Sequence, residues 1–173
     1  VMQGPDGASR VGMAGLKRVT MELGSNSPLI ILEDADLNKV ADAVLATGFG
    51  NAGQVCISTQ RVIGVGKIYG DLTDVLKAKV GELKSGNPLA DGTKMGPMIR
   101  EQDAARVENW VQEAKSQGAR VLTGGSRTGT LFAPTVVADV TPQMKLFQDE
   151  LFGPAVGVSK AATVEEAIAL ASS

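Results

Sequence analysis

Pro28-Leu29-Ile30-Ile31-Leu32, then Glu33-Asp34-Ala35-Asp36, then Leu37-Asn38-Lys39-Val40-Ala41-Asp42-Ala43-Val44-Leu45: across this stretch the chain changes from one structural period to another. The apolar run from Pro28 to Leu32 has the length and composition of a strand buried on both faces. Leu37, Val40, Ala41, Val44 and Leu45 then recur at helical spacing, behind Asp34 and Asp36, which suit a helix start. An apolar strand followed at once by an amphipathic helix is the building unit of a parallel sheet covered by helices.

The same alternation continues outward. Gly48, Gly50 and Gly53 end the helix before Cys56, and Arg61 to Val65 returns to strand-type residues. Leu72, Val75, Leu76, Val80 and Leu83 mark a second helix, closed by Gly86-Asn87-Pro88. A loop with Asp91-Gly92 and Gly96-Pro97 follows. Ala104, Val107, Val111 and Ala114 mark a third helix that ends near Gly118. Arg120 to Thr123 reads as a short strand before Gly124-Gly125, and Phe132 to Ala138 as another, with Pro134 placing part of it at an edge or bulge. Val156 to Ser159 is strand-like. Thr163-Val164-Glu165-Glu166 is a capping box opening a last helix, whose apolar face is Val164, Ala167, Ile168 and Ala171. The expected fold class is α/β, a mostly parallel sheet flanked by helices, in one domain. No Gly-x-Gly-x-x-Gly follows a strand and no phosphate loop is present, so the sequence contains no complete nucleotide-binding unit.

Composition narrows the function. A net charge of −2 supplies no basic field for nucleic acid, and no apolar run reaches membrane-spanning length. One cysteine permits no internal disulfide and fits a reducing compartment; with no export leader in view, the expectation is cytoplasmic. Histidine is absent altogether. A Ser-His-Asp triad, a Cys-His pair and a histidine-ligated zinc or iron site are thereby excluded, and no metal is expected. Residues 1–13 read as an irregular stub or expression remnant, and the chain stops within or just after a helical pattern at Ala171-Ser172-Ser173. Both ends look cut, as in a piece of a longer protein.

The chemistry concentrates on Cys56, in Gly53-Gln54-Val55-Cys56, and on Glu22, in Glu22-Leu23-Gly24. A lone cysteine is most often ordinary packing. A thiol on a glycine-containing turn, with a carboxylate upstream to activate water, points instead to thioester chemistry. Without histidine, its thiolate needs backbone N–H groups, a helix N-terminus or a cofactor's charge.

Three segments together resemble the catalytic domain of the aldehyde dehydrogenase superfamily. Val19-Thr20-Met21-Glu22-Leu23-Gly24 with Ser27-Pro28 is similar to the glutamate motif; Phe49-Gly50-Asn51-Ala52-Gly53-Gln54-Val55-Cys56 is similar to the cysteine motif, at the family's spacing from the glutamate; Glu150-Leu151-Phe152-Gly153-Pro154 is similar to the later Glu-x-Phe-Gly-Pro motif. The resemblance runs from about Ala14 to the end. It implies a catalytic domain over residues 14–173, truncated at both ends, with the dinucleotide-binding domain absent. It implies that Cys56 attacks an aldehyde to form a thiohemiacetal, then a thioester once hydride passes to NAD or NADP. Glu22 would be the general base for hydrolysis, the Cys56 N–H would help hold the oxyanion, Glu150 would bind the ribose beside the nicotinamide, and Phe152 would pack beside the cofactor. The parent is expected to be a homo-oligomer acting on a small aldehyde.

Plainer readings stand beside these. Glu22 alone is a surface carboxylate, Glu150 pairs with Lys145, Phe152 is core, Gln54 shapes the cysteine turn, Asn26 and Asn51 form turns, and Trp110 packs. Where the family often has a second glycine after Glu-Leu-Gly, this chain has Ser25, tolerable where φ is negative but narrowing access near Glu22. Two other functions remain: an acyl-transferring relative that passes the thioester to coenzyme A or phosphate, against which Glu22 argues, and a catalytically silent module.

Overall fold

The computed structural model describes residues 2–3, 16–18 and 20–173, with the backbone alone at residues 2, 3, 21 and 22. The expected strand–helix unit forms as β3 (Ser27–Ile31) and α1 (Leu37–Phe49), but β3 is an edge strand fully buried only at Ile31, not a strand buried on both faces. Asp36 is the cap: its carboxylate accepts from the N–H groups of Asn38 and Lys39, two donors the helix cannot satisfy itself. Ala41 and Val44 on its inner face are fully buried.

The chain continues through β4 (Thr59–Val65), α2 (Ile68–Gly81), α3 (Glu101–Ser116), β5 (Arg120–Thr123), β6 (Arg127–Thr128), β7 (Leu131–Phe132), β8 (Thr135–Ala138), α4 (Lys145–Gln148), β9 (Ala155–Ala161) and α5 (Val164–Ala171). The main sheet has the order β3-β4-β9-β8-β5, parallel at every join except the antiparallel edge strand β5. Two-residue strands β1 (Met2–Gln3) and β2 (Met21–Glu22) pair in parallel, and β6 pairs antiparallel with β7. Beyond Met2–Gln3, the irregular segment expected over 1–13 lies outside the described residues.

β4 is buried along its whole length, as a central strand covered on both faces must be. Its side chains alternate. Val62 enters the large cluster with Val44, Leu72 and Leu76, whereas Ile63 and Val65 join a smaller one with Ala161 and Ala167 of α5. Among the described residues, no helix is long and apolar enough to cross a membrane.

Three details depart from the sequence reading. The strand expected over 132–138 splits into β7 and β8 at Ala133-Pro134. The Thr135 N–H bonds the Pro154 carbonyl as β8 begins, and β8 lies inside the sheet, where a proline within it would leave a gap in the ladder. Helix α2 ends at Gly81, before Gly86, and Leu83 is half-buried beyond it. Helix α5 has its capping box, with Thr163 Oγ1 accepting from the Glu166 N–H and Glu166 Oε2 from the Ala162 N–H. Its expected apolar face is only half used: Ala167 is buried, but Val164 and Ile168 are 42% and 54% exposed.

Tyr69 of α2 ties that helix to the end of β8. Its hydroxyl donates to Asp139 Oδ1 (2.7 Å) and accepts from the Asp139 N–H (2.8 Å), at a residue with φ of 59°. Burial first, and then the bond to Asp139, push the phenol up to about 12, so it stays a donor through the neutral range. Tyr69→Phe is expected to cost about 1–3 kcal/mol, because it strands the Asp139 amide. The check is a lower urea midpoint at unchanged slope.

Candidate active site

Parallel register brings the chemically interesting segments to one end of the sheet. Ser27 pairs with Thr59, Arg61 with Gly157, and Ala155 with Thr135, so β3, β4, β9 and β8 start level. Glu22 precedes β3, Cys56 precedes β4, and Glu150 and Phe152 precede β9, each by a few residues. These three strands are neighbours. The shared end is the amino-terminal one, whereas ligands of open α/β sheets commonly sit beyond the carboxyl ends.

The cysteine segment owes its path to left-handed backbone. After α1, the short 3-10 turn Gly50–Gly53 carries Asn51, Ala52 and Gly53 at φ of 51°, 54° and 68°. Asn51 and Gln54 exchange side-chain-to-carbonyl bonds, so both shape the turn as expected. Gln54 Oε1 also accepts from the Ile99 N–H, tying the turn to the loop before α3. The glycine at 53 is required twice: its φ is positive, and a Cβ would collide with the Gly153 carbonyl. Ser58, buried, closes the far side. Its N–H bonds the Val55 carbonyl (2.9 Å) and its hydroxyl the Thr47 carbonyl at the end of α1 (3.0 Å). Cys56 sits exposed at the crest between these anchors, a free thiol. It is not sealed in apolar packing.

The Glu150–Pro154 segment lies against this turn through the Gly53–Gly153 contact. Phe152 has φ of 50° and is 39% exposed, so it is not core. With Asn51, Gln54, Pro97 and Ile99 it lines an open cavity of about 360 Å³. Glu150 does not pair with Lys145, whose ammonium lies 5.0 Å from the Trp110 ring centre. Glu150 Oε1 is instead buried with no hydrogen-bond partner among the described residues. Its Oε2 faces Gly24, where a Cβ would come within 2.9 Å, so the glycine after Glu22-Leu23 makes room for that carboxylate. Backbone at Glu22 belongs to β2, but its side chain lies outside the described residues. Ser25 does not have a positive φ, and its hydroxyl pairs with Ser27 (3.0 Å).

Two residues that the sequence reading passed over join these segments. Gln60 Oε1 accepts from the Leu151 N–H and its Nε2 donates to the Ser25 carbonyl. Arg61, also buried, donates to the Asn26 carbonyl through Nε and Nη2 (3.1 and 2.9 Å) and to the Leu170 and Ala171 carbonyls at the end of α5. Burial lowers its pKa, and the carbonyl oxygens at the end of α5, with the Ser173 oxygen just beyond it, receive its charge. Asn26 is an anchor more than a turn former: its amide donates to the Phe147 carbonyl (2.6 Å). The available sequence signal was two polar residues inside a strand that is otherwise buried.

The model of the aldehyde dehydrogenase family matches residues 7–173, a span that includes all three motifs. The chain belongs to this family. It is 44% identical over 167 residues to a 3-sulfolactaldehyde dehydrogenase of Priestia aryabhattai, covering 94% of this chain and 35% of the relative. It is 38% identical over 159 residues to a succinate semialdehyde dehydrogenase of Acinetobacter baylyi, covering 90% and 33%. Among solved structures it resembles aldehyde dehydrogenase 21 of Physcomitrella patens in complex with the reaction product succinate, with a TM-score of 0.89 at 38% identity over 97% of this chain and 36% of that one. The α/β fold with its mostly parallel sheet is therefore the family's, and the chain spans about a third of the length of the relatives it matches.

Gly53→Ala is expected to destabilise by roughly 2–4 kcal/mol, since backbone meets backbone at an unfavourable φ. Gly50→Ala, where a Cβ meets nothing within 4 Å, should stay within about 0.5 kcal/mol. Denaturation of the two variants side by side measures the difference; equal losses would mean that the Gly53–Gly153 contact does not hold the turn.

Proposed function

We propose that this chain carries the catalytic part of an NAD(P)-dependent aldehyde dehydrogenase that oxidises an aldehyde to a carboxylic acid. The observation that carries the reading is an exposed thiol on a turn locked against the segment of Glu150, whose Oε1 is buried with no hydrogen-bond partner among the described residues.

A buried carboxylate oxygen with no donor is expensive, and a ribose hydroxyl is the kind of donor that relieves it. Glu150 and Phe152 thus fit the hydroxyl-bearing and apolar parts of a nicotinamide nucleotide. The Cys56 thiolate attacks the carbonyl carbon, and the carbonyl oxygen takes the negative charge. The Cys56 backbone N–H, not engaged by any group among the described residues, is available to that oxygen. When bound, NAD or NADP supplies the hydride acceptor that turns the Cys56 adduct into a thioester. Glu22 takes a proton from water, hydroxide adds to the thioester carbon, and the carbon–sulfur bond breaks to release acid and thiolate. Ser25, three residues after Glu22, has its hydroxyl turned to Ser27.

Residues 14–173 form the catalytic domain in this reading, with the dinucleotide-binding domain supplied by sequence outside them, so the isolated chain is expected to be silent. The single cysteine supports a reducing compartment such as the cytoplasm.

In the protein as its complete reading frame encodes it, Cys56→Ala is expected to abolish aldehyde-dependent reduction of NAD(P); surviving turnover rules out Cys56 as nucleophile. Glu22→Gln is expected to keep the first-turnover burst of reduced cofactor while steady-state turnover falls about a hundredfold or more, the usual worth of a general base. Stopped-flow absorbance separates the phases, and parallel loss of both would remove Glu22 from the hydrolytic step.

A further inference from the structure

Gln60 is 3% exposed, and both ends of its amide are engaged. The strand that carries it, β4, lies between β3 and β9, and the side chain reaches the loop feeding each neighbour. Toward β9 it accepts from the Leu151 N–H, beside Glu150; toward β3 it donates to the Ser25 carbonyl, three residues after Glu22. Neither backbone group belongs to a sheet ladder, and neither has another partner among the described residues. A neutral amide can offer an acceptor and a donor at once, which is what this position demands.

We propose that Gln60 is a positioning residue that sets Glu150 for the cofactor ribose and holds the loop of Glu22 in the same register. The proposal rests on the roles given above to Glu150 and Glu22. Leu151 is itself 1% exposed, so fixing its amide fixes the peptide from which the Glu150 side chain departs. Gly24, one residue before Ser25, receives Glu150 Oε2, so both contacts of Gln60 flank the meeting point of the two loops. Cys56 is held on its far side by the Ser58 bonds to the Thr47 and Val55 carbonyls, which Gln60 does not make, while the Gly53–Gly153 contact lies two residues beyond Leu151. The Ser58 bonds remain when Gln60 is replaced, so the thiol keeps its own support.

The test uses the protein encoded by the complete reading frame, titrated with NADH by fluorescence. Gln60→Met keeps length and apolar volume but makes neither bond. If Glu150 then holds the ribose-binding pose about a tenth of the time, the apparent Kd rises about tenfold. Alkylation of Cys56 by iodoacetamide without cofactor should stay within about twofold of wild type, because a structural loss spreads to the thiol turn while a positioning loss does not. An unchanged Kd, or a Kd and an alkylation rate that shift together, overturns the proposal. Gln60→Glu keeps the acceptor for Leu151 and, when ionised, loses the donor to Ser25. It should retain NADH affinity while slowing thioester hydrolysis relative to the burst, and this variant decides the matter if Gln60→Met does not fold. Loss of affinity in Gln60→Glu, or hydrolysis at the wild-type rate, again overturns it. Wild-type protein that fails to bind NADH overturns the cofactor reading itself, a result distinct from normal wild-type binding that Gln60→Met leaves intact.

Discussion

The level start of β3, β4 and β9 is the constraint on which the rest depends. Parallel pairing admits no tight hairpin, so β4 and β9 each enter the sheet on chain that has crossed from the far end, and β3 enters level with them. Three loops arriving at adjacent strands must share one rim. That rim carries the segments of Glu22, Cys56 and Glu150, although 34 residues separate the first two and 94 the last two. A slip of one residue in β4 would exchange the faces of Gln60 and Arg61 and move Val62 and Ile63 out of the two clusters they now fill. The buried pattern of β4 therefore fixes the rim as well as the core.

Loops at the rim leave the ladder and lose their backbone partners, and the chain answers with side chains from the strand starts. Ser58 binds carbonyls at the end of α1, Gln60 binds both neighbouring loops, Arg61 binds the Asn26 carbonyl, and Asn26 binds the Phe147 carbonyl. Glycine handles the places too close for any side chain: Gly53 against Gly153, and Gly24 against the Glu150 carboxylate. Among the described residues, two buried acceptors at this rim lack a hydrogen-bond partner, Asn26 Oδ1 and Glu150 Oε1. The second belongs to a carboxyl group, whose burial costs more than that of an amide, so it is the one more economically read as a place for a ligand.

Much of the fold was legible because period and capping are local. The Asp36 cap, the spacing of Val107 and Val111, and the Thr163–Glu166 box all appear where their residues placed them. Cys56, Glu150 and Phe152 were legible only as parts of three ordered motifs, since each alone has a bland reading. Gln60 and Arg61 were not legible, because their partners lie 35 to 112 residues away and a polar pair in a strand usually signals a solvated face. Pro134 reads locally as the mark of an edge or bulge; the outcome, a break just before an interior strand, depends on the bond from Thr135 to Pro154, which no local pattern encodes. Val164 and Ile168 obeyed helical spacing yet stay exposed, because the smaller cluster beneath α5 is filled by Ala167 with Leu170 and Ala171.

The absence of histidine gives the rim its character. With no imidazole in these 173 residues to take the thiol proton, what this chain itself offers Cys56 is fixed backbone dipoles. Fixed dipoles help only if the backbone does not move, and the turn at 50–58 is held at each shoulder: by left-handed residues and the Gly153 contact before the thiol, and by buried Ser58 after it. Cys56 and its neighbour Ile57 are left exposed between rigid supports. A thiol kept only for packing would show the opposite arrangement, with its side chain inside and its loop free. The rigidity lies in the backbone and the exposure in the sulfur, which is the distribution that attack on an incoming carbonyl requires.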